Sequence, residues 1–331
     1  MGKIRTHSHW GLDYINVTLV QNRNAGGILV AVLDGGMDVR NDVFAGNVWS
    51  DSKAVSKIAG TIPRVDEHSK ESLGIDFTDP ENLVPFSLPD RLEPYHATQV
   101  ASIIGGRPVL GSYHGGLAHS VKMMPLKIQP AHPEFVVEAI YKAVKFAISQ
   151  KVHILNCSWI IYGQDKRLKS VFEEAIENGV LIVAAAGNDD EQLENYPGYP
   201  AALRSRSLIT VGAVQSDIID HLSPASNYGS LVDIAAPGDG GLYVGPHKRQ
   251  SNPPGKTSFA AAYVSGAAAL VWSEVIEREM PHHQQAEMVK EFILSGGRQV
   301  APRIETGDYS PRIKTWGISN PILDMRFLAS K

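Results

Sequence analysis

With 331 residues, 43% of them apolar and 20% charged, the chain can bury a large core and reads as globular rather than disordered or fibrous. A formal net charge of −4 with scattered basic residues leaves no electrostatic footprint for nucleic acid and speaks against it as a partner. A membrane is disfavoured likewise, since no run reaches the ~18 apolar residues of a span, and the single cysteine, Cys157, allows no intrachain disulfide.

The segment from Met1 to Trp10 has no apolar signal core. The expectation is a cytoplasmic protein if the chain is complete, which a lone thiol suits, and a secreted one if it is a processed mature form. Ile28 to Leu33 is a nearly all-apolar run between Gly26-Gly27 and Asp34-Gly35-Gly36, the pattern of a strand buried on both faces of a parallel sheet. Similar runs recur at Val121 to Ile128, Val152 to Trp159, Val180 to Ala186 and Leu208 to Val214. Between them, Glu134 to Ser149 sets Val137, Ile140, Tyr141, Val144 and Ile148 on one helical stripe. Lys166 to Asn178 does the same with Leu168, Val171, Phe172, Ala175 and Ile176, and Gly179 stands where such a helix ends.

Strands alternating with helices predict an α/β fold with a doubly wound, mostly parallel sheet and helices on both faces. Ligands of such sheets gather at the carboxyl ends of the strands. Residues 51–95 break the pattern, with many charges and prolines and no sustained period, and read as an elaborated surface loop with room for one short strand. No repeat, low-complexity tract or linker composition divides the chain, so one domain over 1–331 is the simpler organisation.

Chemistry is therefore sought just after the apolar runs. Asp34 follows the first of them, beside two glycines that let the chain turn sharply. His96 opens a segment of small and apolar residues running to Ile104, where the positive end of a helix dipole disfavours a charged imidazole and leaves a neutral base. Asn188 ends Ala184-Ala185-Ala186-Gly187-Asn188-Asp189, an amide donor on a track of small residues. Ser258 stands before a very apolar stretch of small residues from Phe259 to Val271, which would hold it rigidly at a helix N-terminus. Each has a plain counterpart when taken alone: a turn aspartate, a structural histidine, a turn asparagine and a helix-capping serine.

Taken jointly, these residues stand at element termini in the chain order Asp, His, Asn, Ser, and the pattern resembles the subtilisin-like serine protease (subtilase) family. The resemblance covers nearly the whole chain, from Trp10-Gly11-Leu12 through Asn156-Cys157-Ser158-Trp159, Tyr199-Pro200-Ala201 and Asp233-Ile234-Ala235-Ala236-Pro237-Gly238 to the helix beyond Ser258. It implies a serine endopeptidase working through an acyl-enzyme. Ser258 would be the nucleophile, His96 the general base and then acid, and Asp34 the group that fixes the imidazole tautomer. Asn188 and the Ser258 backbone N–H would bind the oxyanion, a side-chain donor of this kind contributing about 3 kcal/mol, a magnitude established in that same family. Substrate would lie as an extended strand against Ser158, Trp159 and Ile160, with Gly187, Asp189 and Thr257 flanking the reacting centre. Gly198 resembles the small residue that leaves the primary specificity pocket open. The resemblance implies no cofactor for the chemistry, allows a structural calcium held by acidic residues of the 51–95 loop, and points to a polypeptide partner: a substrate, a separate propeptide or a precursor peptide.

The sequence departs from the family where Lys256 and Ala262 replace a usual glycine and proline around Ser258, and where Ile160 replaces a frequent glycine along the cleft. Gly35 and Ala97 are smaller departures. Only nine residues precede Trp10, so a prodomain has been removed, is supplied separately, or is not needed. Asp189 and Asp190 would favour a basic substrate side chain if desolvated, and are otherwise solvated rim charges. Cys157 lies within an apolar run and reads as a small hydrophobe rather than a nucleophile. His282-His283 lacks the spacing of a helical zinc pair, and the G-x-S-x-G elbow of α/β-hydrolases is absent. The rival reading from another class is a catalytically weak relative that uses its cleft to bind a peptide or protein, to be separated by the reactivity of Ser258.

Overall fold

The alternation of apolar runs and amphipathic stripes is realised as a twisted sheet sandwiched by helices. The computed structural model describes residues 10–20, 22–51, 73–78, 96–109, 115–129, 135–163, 165–215, 218–238, 256–299 and 321–329. In chain order the elements are helix α1 (Trp10–Tyr14), strands β1 (Leu29–Asp34) and β2 (Ile75–Asp76), helix α2 (His96–Gly105) and strand β3 (Lys122–Lys127). Helix α3 (Val136–Ser149), strands β4 (Ile154–Cys157) and β5 (Ile161–Tyr162), helix α4 (Lys166–Glu177), and strands β6 (Leu181–Ala185), β7 (Gly198–Tyr199), β8 (Leu208–Gln215), β9 (Ile218–Leu222) and β10 (Ile234–Pro237) follow. Helices α5 (Thr257–Val275), α6 (His282–Gly296) and α7 (Arg326–Ala329) close the order.

The main sheet runs β10-β8-β6-β4-β1-β3-β2, all parallel, and β9 joins β8 antiparallel. Strand order reverses around β1, whose register pairs Asp34 with Lys127 and Leu33 with Cys157. That reversal opens a crevice at the carboxyl edge of the sheet. Successive residues of β1 serve opposite faces: Val30 and Val32 pack into one core, Ala31 and Leu33 into the other. The first core is covered by α2, α5 and α6, the second by α3 and α4. The doubly wound architecture expected from the sequence is the one present.

Local signals explain the ends of these elements. Asp165 caps α4 by accepting from the N–H groups of Arg167 (2.7 Å) and Leu168 (3.2 Å). Gly179 follows that helix at φ +81°, a left-handed position that glycine fills without strain. Helix α5 is buried almost throughout, and Gly266 lets it close on α2, because a Cβ there would stand 2.9 Å from the Ile104 carbonyl oxygen. This close approach sets the N-termini of α2 and α5 side by side. Among the described residues no helix is long and apolar enough to cross a membrane. The two-residue strand β2 is the short strand expected in the 51–95 loop, most of which lies outside the described residues.

Candidate active site

The central strands β6, β4 and β1 lie next to one another, so the segments leaving their carboxyl ends meet in one place. Asp34 is the last residue of β1 and is 6% exposed. Its carboxylate accepts the Gly35 N–H at 2.7 Å and lies 2.9 and 3.0 Å from His96 Nδ1. His96 is the first residue of α2, and its ring centroid is 5.8 Å from that of Phe259, the residue after Ser258. Thr98 on the same turn accepts the Asp38 N–H at 2.9 Å, which ties the start of α2 to the chain leaving β1.

Ser258 is the second residue of α5 rather than its cap, a place taken by Lys256 in extended conformation. The Ser258 hydroxyl donates to the Ser158 carbonyl at 2.8 Å, and the Ser158 hydroxyl donates to the Ser258 carbonyl at 2.8 Å. Behind this pair, Asn156 Nδ2 donates to Ser158 Oγ (3.0 Å) and Ser265 Oγ donates to Asn156 Oδ1 (2.8 Å). Asn156, Ser158 and Ser265 are at most 2% exposed. As the second residue of a helix, Ser258 has a backbone N–H without an intrahelical acceptor.

Asn188 follows β6 and is fastened by its oxygen: Oδ1 accepts the Thr257 N–H (2.9 Å) and hydroxyl (3.1 Å). The Thr257 hydroxyl oxygen in turn accepts the Gly187 N–H at 3.2 Å. Among the described residues Asn188 Nδ2 has no partner, so its donors are available beside the start of α5. Two hydrogen-bond donors and a hydroxyl thus share the mouth of the crevice with a carboxylate-oriented imidazole. Such a set can activate a hydroxyl and hold a developing negative charge.

Of the expected substrate contacts, Ser158 is buried and Trp159 and Ile160 half-buried along the chain leaving β4. Trp159 is pinned by its Nε1–H to the Leu33 carbonyl at 2.8 Å. Ile160 lies over Gly198, where an added Cβ would come 2.6 Å from Ile160 Cγ1. Asp189 is exposed, and its carboxylate accepts from the Tyr162 hydroxyl. Asp34, His96, Ser258, Asn188, Ser158, Gly187 and Thr257 are therefore linked in one cluster, with Asp189, Ile160 and Gly198 along its rim. Tyr162 and Asn227, which join this cluster, carry no motif of their own and were not singled out by sequence.

Burial, with a smaller push from the Asp34 charge, drives the Cys157 thiol pKa well up, as befits a core residue. Lys256 is exposed, and its N–H donates to the Gly238 carbonyl at 2.7 Å. Ala262 is fully buried in the unbroken α5. His282 packs its ring on Trp272 and His153. Among the described residues no group of three or more His, Cys, Asp or Glu side chains is placed to hold a metal ion. Asp76, in the stretch where calcium ligands were expected, is engaged by Lys127 (2.7 Å) and Thr78 (2.6 and 2.8 Å).

Known proteins resemble this chain in sequence and in fold. The profile described as the subtilase family matches residues 25–301. The chain is 30% identical over 275 residues to the major intracellular serine protease of Bacillus subtilis (strain 168), covering 80% of this chain and 75% of that one. It is 28% identical over 304 residues to an intracellular serine protease of Paenibacillus polymyxa, covering 89% and 82%. Among solved structures, a cold adapted subtilisin-like serine proteinase superposes with a TM-score of 0.67 at 24% identity, covering 95% of this chain and 97% of that one. The patellamide maturation protease PatA does so with a TM-score of 0.64 at 24% identity, covering 93% and 97%. At that identity the two structures speak for the fold alone.

Proposed function

Because this chain belongs to the subtilase family and is a serine protease of that family, we propose that it cleaves polypeptides internally through an acyl-enzyme on Ser258. The observation that carries this reading is the Asp34–His96 pair, held at 2.9 to 3.0 Å at the end of β1 and facing the start of α5. Donation from Nδ1 to the Asp34 carboxylate leaves Nε2 as the basic nitrogen of a neutral ring.

In this scheme the Ser258 hydroxyl turns about its Cα–Cβ bond from the Ser158 carbonyl to His96 Nε2 when substrate arrives. Oγ attacks the scissile carbonyl carbon while Nε2 takes the proton. The carbonyl oxygen becomes an oxyanion that accepts from Asn188 Nδ2 and the Ser258 backbone N–H. His96 then protonates the leaving amine; water, deprotonated by His96, attacks the ester carbonyl, and as the C–Oγ bond breaks His96 returns that proton to Ser258 Oγ and the acid departs. Asp34 orients the ring and stabilises the imidazolium at each transfer. The scheme calls on no cofactor.

Substrate would run as an extended strand along Ser158, Trp159 and Ile160, with Gly187, Thr257, Asp189 and Gly198 around the residue at the cut. The names of the two bacterial relatives, both intracellular serine proteases, support an intracellular location. The test is a fluorophosphonate probe on the purified protein beside a Ser258→Ala control. Labelling that disappears in the control is expected. A folded protein that takes no label would count against an activated Ser258 and leave a missing activation step or a peptide-binding cleft as the readings.

A further inference from the structure

Asn227 is 0% exposed, and all its side-chain hydrogen-bonding positions are used. Its Nδ2 donates to the Ala186 carbonyl (2.9 Å) and the Tyr162 hydroxyl oxygen (2.7 Å). Its Oδ1 accepts the N–H groups of Asp189 and Glu191, both at 3.0 Å. Its own backbone N–H donates to the Gly187 carbonyl at 3.0 Å. These partners bracket Asn188, with two carbonyls on one side of it and two amides on the other.

The turn held in this way passes twice through positive φ. Gly187 sits at φ +105° and Asp190 at φ +61°, the latter left-handed for a residue with a side chain. The fit is close as well: a Cβ on Gly187 would stand 2.3 Å from Asn227 Nδ2. Buried carbonyls and amides left over by such a turn need partners, and one side-chain amide supplies them from across the sheet edge.

We propose that Asn227 is a positioning residue that presets the Asn188 amide for the oxyanion, and that Tyr162 couples this staple to the substrate-docking segment. The inference rests on the reading of Asn188 given under the proposed function. Thr257 fixes the Asn188 side chain through Oδ1 and Asn227 fixes its backbone on both sides, so Nδ2 is aimed before substrate arrives. Preset donors stabilise charge without reorganising at the moment of reaction. Tyr162 lies on β5, just beyond Ser158 to Ile160. Burial first, and the Asp189 carboxylate next, push its pKa up to about 12, so the hydroxyl keeps its proton and donates to Asp189 while accepting from Asn227.

A double-mutant cycle separates positioning from simple stabilisation. Labelling rates with fluorophosphonate, and kcat and KM on a fluorogenic peptide, are measured for the wild type, Asn188→Ala, Asn227→Ala and the double variant. Asn227→Ala should lower kcat and the labelling rate by about 10- to 100-fold, with KM moved less than about threefold. In the Asn188→Ala background the same change should cost less than about twofold, because the group it positions is gone. Equal losses in both backgrounds, or wild-type kcat in a folded Asn227→Ala, overturn the proposal. Should Asn227→Ala fail to fold, Tyr162→Phe removes the coupling hydroxyl at the exposed edge. A several-fold fall in kcat that vanishes with Asn188→Ala is then expected, and no loss or an equal loss overturns the role. An unlabelled wild type defeats the protease reading first, and this proposal with it, before any variant is compared.

Discussion

The Ser258 hydroxyl lies 2.8 Å from the Ser158 carbonyl oxygen, and the Ser158 hydroxyl lies 2.8 Å from the Ser258 carbonyl oxygen. This reciprocal pair joins the chain leaving β4 to the first turn of α5. It is also the outer end of a buried relay that continues through Asn156 to Ser265. Buried hydrogen-bond networks of this kind rigidify what they touch, and here they touch the proposed nucleophile.

Ser158→Ala removes the middle of that relay without altering the backbone. The Asn156 amide loses its acceptor and the Ser258 carbonyl its side-chain donor, in a region almost closed to water. Urea denaturation should show a loss of about 1–3 kcal/mol. The rate of fluorophosphonate labelling should fall with it. In Ser265→Ala, farther along α5, a comparable loss of stability should leave labelling less affected.

Asp34→Asn preserves the shape of the pair and removes its charge. An amide at this position can turn its NH2 group to His96 Nδ1 and stabilise the wrong tautomer. Steady-state hydrolysis of a peptide substrate near neutral pH should show kcat reduced by about 10⁴-fold with little change in KM. A variant retaining most of the wild-type kcat would remove Asp34 from the mechanism.

The parts of the fold that sequence reveals are those whose pattern is local. Strand β1 and helices α3 and α4 lie within two residues of where apolar runs and helical stripes place them. Helix α6 has no such clean stripe, because one of its four buried positions is Gln285, which faces inward to accept from Trp272 Nε1 at 3.2 Å. Strands β5 and β7 are two residues each, too short for any period to register. Asp34, His96, Asn188 and Ser258 are legible as candidates because each stands at or just beyond the end of a legible element. Asn227 and Tyr162 are not, since only the sheet topology brings them to the loop after β6. Lys256 is an uncommon residue for a helix cap, so the exact start of α5 was equally hidden.

Lys290 on α6 provides a test of the amino edge of the sheet, where β8 and β10 begin. Its ammonium bridges the Asp233 carboxylate at 2.9 Å and the carbonyl oxygens of Ser205 (3.1 Å) and Leu208 (2.5 Å). Asp233 also accepts the Thr210 N–H at 2.8 Å. Lys290→Met would strip the cation from a mostly buried pair and leave a carboxylate and two carbonyls facing an apolar chain. A loss of about 3 kcal/mol in urea denaturation is expected. Because this cluster is remote from Ser258, labelling of the folded variant should proceed at the wild-type rate.

Acid sensitivity should trace in part to His153. Its Nδ1 accepts the Leu29 N–H at 3.1 Å, and its ring packs 5.3 Å from Trp272 and 5.1 Å from His282. Burial, and secondarily the positive charge His282 would carry, push its pKa down from 6.5 to about 4. Between those values the unfolded chain binds a proton that the folded chain refuses, so stability rises with pH in this window and falls as pH drops through it. The loss levels off below the folded value and amounts to at most about 3 kcal/mol. His153→Gln has no proton to refuse, so its unfolding free energy, followed by urea titration across the window, should decline less steeply than that of the wild type. Parallel curves for the two proteins would assign the acid sensitivity to other groups, of which His282, also lowered chiefly by burial, is the neighbour to replace next.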